Sequence, residues 1–289
     1  MIKHLKITPP VIGRISIGRV IEKNGKRLPE KDDQFTITTQ VQTPSGWLLH
    51  PLDQQLRQET QQEKLRSLPI TLLFNDPELN FRAEYTAFDR KTGRVTCLCD
   101  GETSQQFTPT GRQELPCNNR SNCPDDCKPY GRLVVKLTDS SDMEAFMFRT
   151  TGYNSIRTLM ARLHYYYALT DGNLSTLPLS LKIRGKSTTQ SFGTPIYYVD
   201  LVIREGMSLE DAIQYAKAEA QRRKEAGINQ AALDDAARLG YQAAPFEFDE
   251  EEIPQIVEEF YPETEPEQAV TQAAYPQSAG NGLMQRLQR

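Results

Sequence analysis

Cysteine is missing from the whole chain except residues 97–127, where all five occur: Cys97, Cys99, Cys117, Cys123 and Cys127. Scattered thiols would suggest ordinary buried side chains; five in one stretch suggest a metal clamp. Histidine is scarce too. His4, His50 and His164 sit in unrelated contexts, with no His-x-Glu or His-Glu-x-x-His spacing, which removes the usual imidazole-based hydrolytic motifs. Neither a Gly-x-Ser-x-Gly elbow nor a Walker A loop is present. No apolar run approaches the roughly 18 residues that would suggest a membrane span. The start, Met1-Ile2-Lys3-His4, lacks the apolar stretch and small-residue cleavage site of a signal peptide. A reducing cytoplasm is therefore the expected compartment, and there a cysteine cluster points to metal binding rather than to disulfides.

Basic residues are absent between positions 245 and 268, where ten acidic ones stand. Without that segment the remaining chain has 34 basic against 28 acidic residues, although the whole carries a net charge of −4. A mildly basic body with a strongly acidic tail is expected, and a basic body suits a polyanionic partner.

What is present divides the 289 residues into three parts: an α+β core over 1–205 with its cysteine-rich loop at 97–127, C-terminal helices over 206–240, and a disordered acidic tail over 241–289. Residues 11–20 and 35–39 have the alternation and β-branched content of strands, joined by a charged connector whose Asn24-Gly25 is a turn signal. Residues 54–66 are polar and fit a loop or a short surface helix. Residues 81–88 and 94–99 form a hairpin around Asp89-Arg90-Lys91-Thr92-Gly93, and residues 100–116 fit a loop. Strands follow at 132–137 and 145–149. Next comes a helix capped by Asn154 or Ser155, with a stripe of Ile156, Leu159, Met160, Leu163 and Tyr167, closed by Asp171-Gly172. Two more strands, 179–185 and 196–204, precede a helix opened by Ser208-Leu209-Glu210-Asp211 and ended by Gly227, and a second over 230–239 ended by Gly240. The tail's apolar island, Ile253 to Val257 with Phe260-Tyr261, is a candidate linear interaction motif, with a solvated tail as the expected state. The fold predicted is a mixed, mostly antiparallel sheet with a zinc-stapled loop, one central helix and a C-terminal helical pair.

Thiolates hold zinc because a soft sulfur anion matches a borderline-soft cation, and residues 118–126 are too hydrophilic to bury themselves without such a clamp. Cys117, Cys123 and Cys127 are the firmest candidate ligands. The fourth is Cys99 or Cys97, which are expected on opposite faces of their strand. Four protein ligands leave no open position for water, so the site would be structural; a hydrolytic zinc needs a vacant position and a nearby base.

Lys182, Arg184 and Lys186 alternate with Leu181 and Ile183, which puts three cations on one sheet face. The central helix adds Arg157, Arg162 and Tyr165, a set that suits phosphate and base-stacking contacts as well as it suits a solvated basic face.

Three stretches carry a family resemblance. Pro29-Glu30-Lys31-Asp32-Asp33-Gln34-Phe35-Thr36-Ile37-Thr38, Cys127-Lys128-Pro129-Tyr130-Gly131-Arg132-Leu133, and Phe148-Arg149-Thr150-Thr151-Gly152-Tyr153-Asn154-Ser155-Ile156 resemble segments of the recombination directionality factor-like proteins of phages and integrative elements. Some relatives carry the label "hydrolase or metal-binding protein". The resemblance runs in order from Lys6 to Arg204. It implies a non-enzymatic regulator that binds a large serine integrase on DNA and favours excision over integration. Two alternatives stand beside it: a zinc-containing nucleic-acid-binding accessory of phage recombination or replication, and a metal-dependent hydrolase. They differ in salt-dependent DNA binding and in an open metal site, respectively.

Overall fold

A computed structural model describes residues 10–23, 26–43, 46–108, 111–117, 127–137, 144–187, 189, 195–243 and 260–261. Within them lie β1 (Val11–Lys23), β2 (Lys26–Thr43), β3 (Gly46–Leu49), α1 (Pro51–Thr60), β4 (Ser67–Ile70), α2 (Pro77–Asn80), β5 (Phe81–Phe88) and β6 (Val95–Cys99). Then follow β7 (Thr103–Thr108), β8 (Gly111–Pro116), β9 (Lys128–Val135), β10 (Ala145–Thr150), α3 (Tyr153–Leu169), β11 (Leu179–Lys186), β12 (Ile196–Ile203), α4 (Leu209–Glu225) and α5 (Gln230–Ala243). The nine-stranded sheet runs β3-β2-β1-β10-β9-β5-β6-β7-β8, and a second sheet runs β12-β11-β4. Only the β1–β10 pair is parallel among the described strands. The mixed, mostly antiparallel α+β architecture is as expected.

One cross-strand row shows how the core is assembled. Ile37 lies opposite Ile15, Ile15 opposite Phe148, Phe148 opposite Leu133, and Leu133 opposite Phe81. Cross-strand partners share a face, so five large apolar side chains from five strands line one side of the sheet, and all are buried. Leu68, Ile70, Leu179, Leu181, Val199 and Leu201 of the smaller sheet, with Ile156, Leu159, Leu163 and Tyr166 of α3, complete this core. Gly131 lets α3 come close: a Cβ there would meet Phe81 Cζ at 2.7 Å and Ile156 Cγ1 at 3.0 Å.

Helix α3 also covers the open edge of β12. The Val199 N–H donates to Ser155 Oγ at 3.0 Å, and the Tyr166 hydroxyl donates to the Leu201 carbonyl at 3.5 Å, so side chains pair groups that a free edge would leave exposed. Its buried stripe ends on Tyr166 rather than Tyr167, and Met160 is 42% exposed. The N-cap is Gly152, without a side-chain cap bond, while of the two expected capping residues Ser155 is spent on β12 and Asn154 accepts from Lys186. Asp171 and Gly172, both at positive φ, close the helix as predicted.

The Ser208 cap is as expected: its Oγ accepts from the Asp211 N–H at 3.1 Å. Helix α5 runs through Gly240 to Ala243 rather than stopping there. It is fixed to the body by Asp234, whose carboxylate accepts from the Asn75 and Asp76 N–H groups at 3.1 and 3.3 Å. Burial, opposed by those bonds, lifts the pKa of Asp234. The charged connector predicted between the first two strands is instead strand, paired from Arg19↔Glu30 to Lys23↔Lys26, with Asn24-Gly25 outside the described residues.

Candidate functional site

Strand β6 carries Cys97 and Cys99 two residues apart, and side chains two apart on a strand point to the same side. The expectation of opposite faces is therefore corrected. Both thiols are buried, at 2% and 3% exposure. Their neighbours extend the same face: Ala87 and Gln106 flank Cys97, while Tyr85 and Ser104 flank Cys99. Leu115 lies opposite Ser104, so Cys117, two residues beyond Leu115, continues that side; its N–H donates to the Glu102 carbonyl at 2.6 Å. Cys127 immediately precedes β9, and because Lys128 is opposite Thr86, Cys127 falls opposite Ala87. By register Cys97 and Cys99 share one face of the sheet, while Cys117 directly follows β8 and Cys127 directly precedes β9.

The Cys117 side chain stands close enough to Cys99 to act on its titration. Burial, first of all, and then that neighbour push the Cys99 pKa up to about 11, against the pull of the Gly101 N–H, which donates to its Sγ at 3.0 Å. A thiol in such surroundings keeps its proton at neutral pH, and an adjacent cation is what reverses that preference. Among the described residues no set of three or more His, Cys, Asp or Glu side chains is grouped closely enough to hold a metal ion. Cys123 and the polar stretch 118–126 lie outside the described residues. Residues 100–116, expected as a loop, are largely the hairpin β7–β8, which carries Cys117 back beside Cys99.

The predicted cationic face is assembled but engaged. Arg162 of α3 and Arg184 of β11 converge on Asp200 of β12, at 3.1 and 3.3 Å. Asp200 is 4% exposed, and its hydrogen bond, with its charge, raises the pKa of Arg162. Lys182 pairs with Glu205 at 2.7 Å, and Lys186 donates to the Asn154 side-chain oxygen at 2.6 Å. Arg157 is exposed on α3. Helix and strand thus meet as the sequence suggested, with two guanidiniums around one carboxylate leaving a positive surplus at that corner.

A feature missed as a site lies on the opposite side of the strands that bear the thiols. There Phe88, Val95, Leu98 and Tyr130 form a cluster closed by Phe260 of the acidic tail. Of the tail's apolar island, a candidate interaction motif with a solvated state expected, Phe260 is instead buried against the body. No helix among the described residues is long and apolar enough to cross a membrane.

In comparison with known families, the model Gp3-like, recombination directionality factor-like, matches residues 12–204. No curated protein and no solved structure matches the chain.

Proposed function

The chain belongs to the recombination directionality factor-like family, and from that premise we propose that it is a non-enzymatic directionality factor of a phage or mobile element, binding a serine integrase on DNA and favouring excision. The observation that carries this reading is the extent of the match. Residues 12–204 take in both sheets and α3, whereas α4, α5 and the tail lie beyond it. The test is capture of the cognate integrase with and without DNA, alongside excision and integration assays. A complex and stimulated excision are expected; no complex together with unchanged excision would sink the reading.

A zinc ion belongs to the same proposal, held by cysteines of residues 97–127. Its support is the placement of Cys97 and Cys99 on one face of β6, with Cys117 beside Cys99 and Cys117 and Cys127 flanking in sequence the segment that carries Cys123. Thiolates alone give a closed tetrahedral site, so the metal would be a staple and supply no chemistry.

A second reading, direct nucleic-acid binding, is favoured by the surplus of positive charge where Arg162 and Arg184 share Asp200. It requires steep salt dependence on DNA alone, and loss of binding when Lys182, Arg184 and Lys186 are replaced together.

A further inference from the structure

The acidic tail returns to the body at one described point. Phe260 is 1% exposed, with its ring edge-on to Phe88 at 4.8 Å and to Tyr130 at 5.7 Å. Tyr261 stacks edge-on against Phe260 at 4.7 Å, and its hydroxyl both accepts from the Phe88 N–H and donates to the Phe88 carbonyl, each at 3.4 Å. Two cations face the pair. The Arg90 guanidinium is 4.5 Å from the Tyr261 ring centre; Lys128 Nζ is 4.8 Å from the same ring, 5.7 Å from that of Phe260, and 3.5 Å from the Phe260 carbonyl.

These contacts make a small recognition site. It has an apolar floor of Phe88, Val95, Leu98 and Tyr130, a backbone pair at the end of β5 for a phenol hydroxyl, and two cations at the rim. The pair that fills it stands in the sequence Glu258-Glu259-Phe260-Tyr261-Pro262-Glu263, aromatic residues between carboxylates, a composition that suits an apolar floor with a cationic rim. A contact made by two side chains is small enough to exchange, and covalent linkage to the body favours its occupation in cis, since linked groups see an effective concentration on the order of millimolar.

We propose that the outer face of β5, β6 and β9 is a peptide-docking site for an aromatic pair flanked by carboxylates, and that the chain's own Phe260-Tyr261 closes it in cis as an exchangeable strap. While the strap is docked the site is shut to any partner presenting the same chemistry, and its release opens it.

The test uses the full chain and a fluorescein-labelled peptide of residues 254–266. The double variant Phe260→Ala/Tyr261→Ala binds the peptide by anisotropy, at least about tenfold tighter than the unaltered chain, whose site is already filled. Adding Lys128→Glu to the double variant abolishes that binding. Equal affinity for both chains, or no binding by a double variant whose circular dichroism and melting are unchanged, overturns the proposal. A second measurement leaves the rings in place. Chymotrypsin cleavage after Phe260, referred to cleavage after Phe246 and Phe248, is slow in the unaltered chain and at least about fivefold faster in Arg90→Glu/Lys128→Glu, because release of a tethered segment exposes it. An unchanged rate also overturns it. If the unaltered chain sediments as a dimer that Phe260→Ala converts to monomer, the occupant is a second copy's tail and the cis strap is wrong.

Discussion

The same three strands, β9, β5 and β6, present two faces of unlike chemistry, closed by different parts of the chain. On one face Cys97, Cys99 and Ala87 fall in adjoining rows, with Cys117 delivered by the neighbouring hairpin and Cys127 by the start of β9, so the thiols come from residues 97–127. On the other, Phe88, Leu98 and Tyr130 are covered by Phe260 and Tyr261, which arrive from far along the sequence. A register shift after Ala87 turns Val95 towards that second cluster. The difference teaches where stability and exchange reside. Thiols held by neighbouring strands reorganise only if the sheet itself opens, whereas a tethered aromatic pair can leave while the sheet stays intact.

Breaking the thiol face should have the largest effect. If the zinc staple exists, the purified chain carries about one zinc per protomer, and Cys99→Ser loses it. A lost structural metal on the order of 5 kcal/mol lowers the melting temperature by roughly 10–20 °C in a chain of this size. Metal analysis and thermal denaturation of the two proteins decide the matter. Absence of zinc from both, with a shift below about 2 °C, would leave the thiols as ordinary buried side chains.

Next comes the apolar floor of the other face. Leu98→Ala removes a buried side chain from the cluster of Phe88, Val95 and Tyr130 and should cost about 2–5 kcal/mol in urea denaturation while leaving metal content untouched. Zinc lost along with it would show that the two faces are one cooperative unit. Phe260→Ala should cost less, about 1–2 kcal/mol, although Phe260 is as buried as a core ring. A core phenylalanine leaves a cavity that the fold must carry, but a strap can simply detach. A loss of about 3–5 kcal/mol would class Phe260 with the core and remove the contrast between the faces.

Sequence pattern was most informative where one period persisted. The β5–β6 hairpin alternates cleanly, α3 keeps its apolar stripe, and Ser208 heads α4, all of which the structure contains. It was weakest at the sheet's polar margin. Hairpin β7–β8 is built from Thr103-Ser104-Gln105-Gln106 against Gln113-Glu114, without the apolar alternation that marks a half-buried strand. Strands β3 and β4, four residues each, are too short for a period to register. At the thiols the residue types were legible, but their shared face follows from a parity first assigned wrongly. Arg162 and Arg184 were visible as cations; their common partner Asp200 was not, because it is set by a pairing between α3 and β12 that local sequence does not encode.

The finest distinction between the faces concerns the cations at the rim of the aromatic one. Lys128→Gln should weaken docking of the strap by about 0.5–1 kcal/mol, the usual size of a partly exposed cation–π contact. Lys128 also touches the Phe260 carbonyl, so the single substitution does not isolate the ring. A double-mutant cycle with Tyr261→Leu does, because leucine keeps apolar bulk and removes the ring face. A coupling of about 0.5–1 kcal/mol between Lys128 and Tyr261, largely retained when salt is raised, is expected if the ring attracts the ammonium directly. A coupling near zero, with docking that weakens steeply in salt, would mean that the tail's carboxylates draw the cation to the rim. The aromatic face would then owe its selectivity to net charge, and peptides lacking the Phe-Tyr order but equally acidic would compete as well as the native segment.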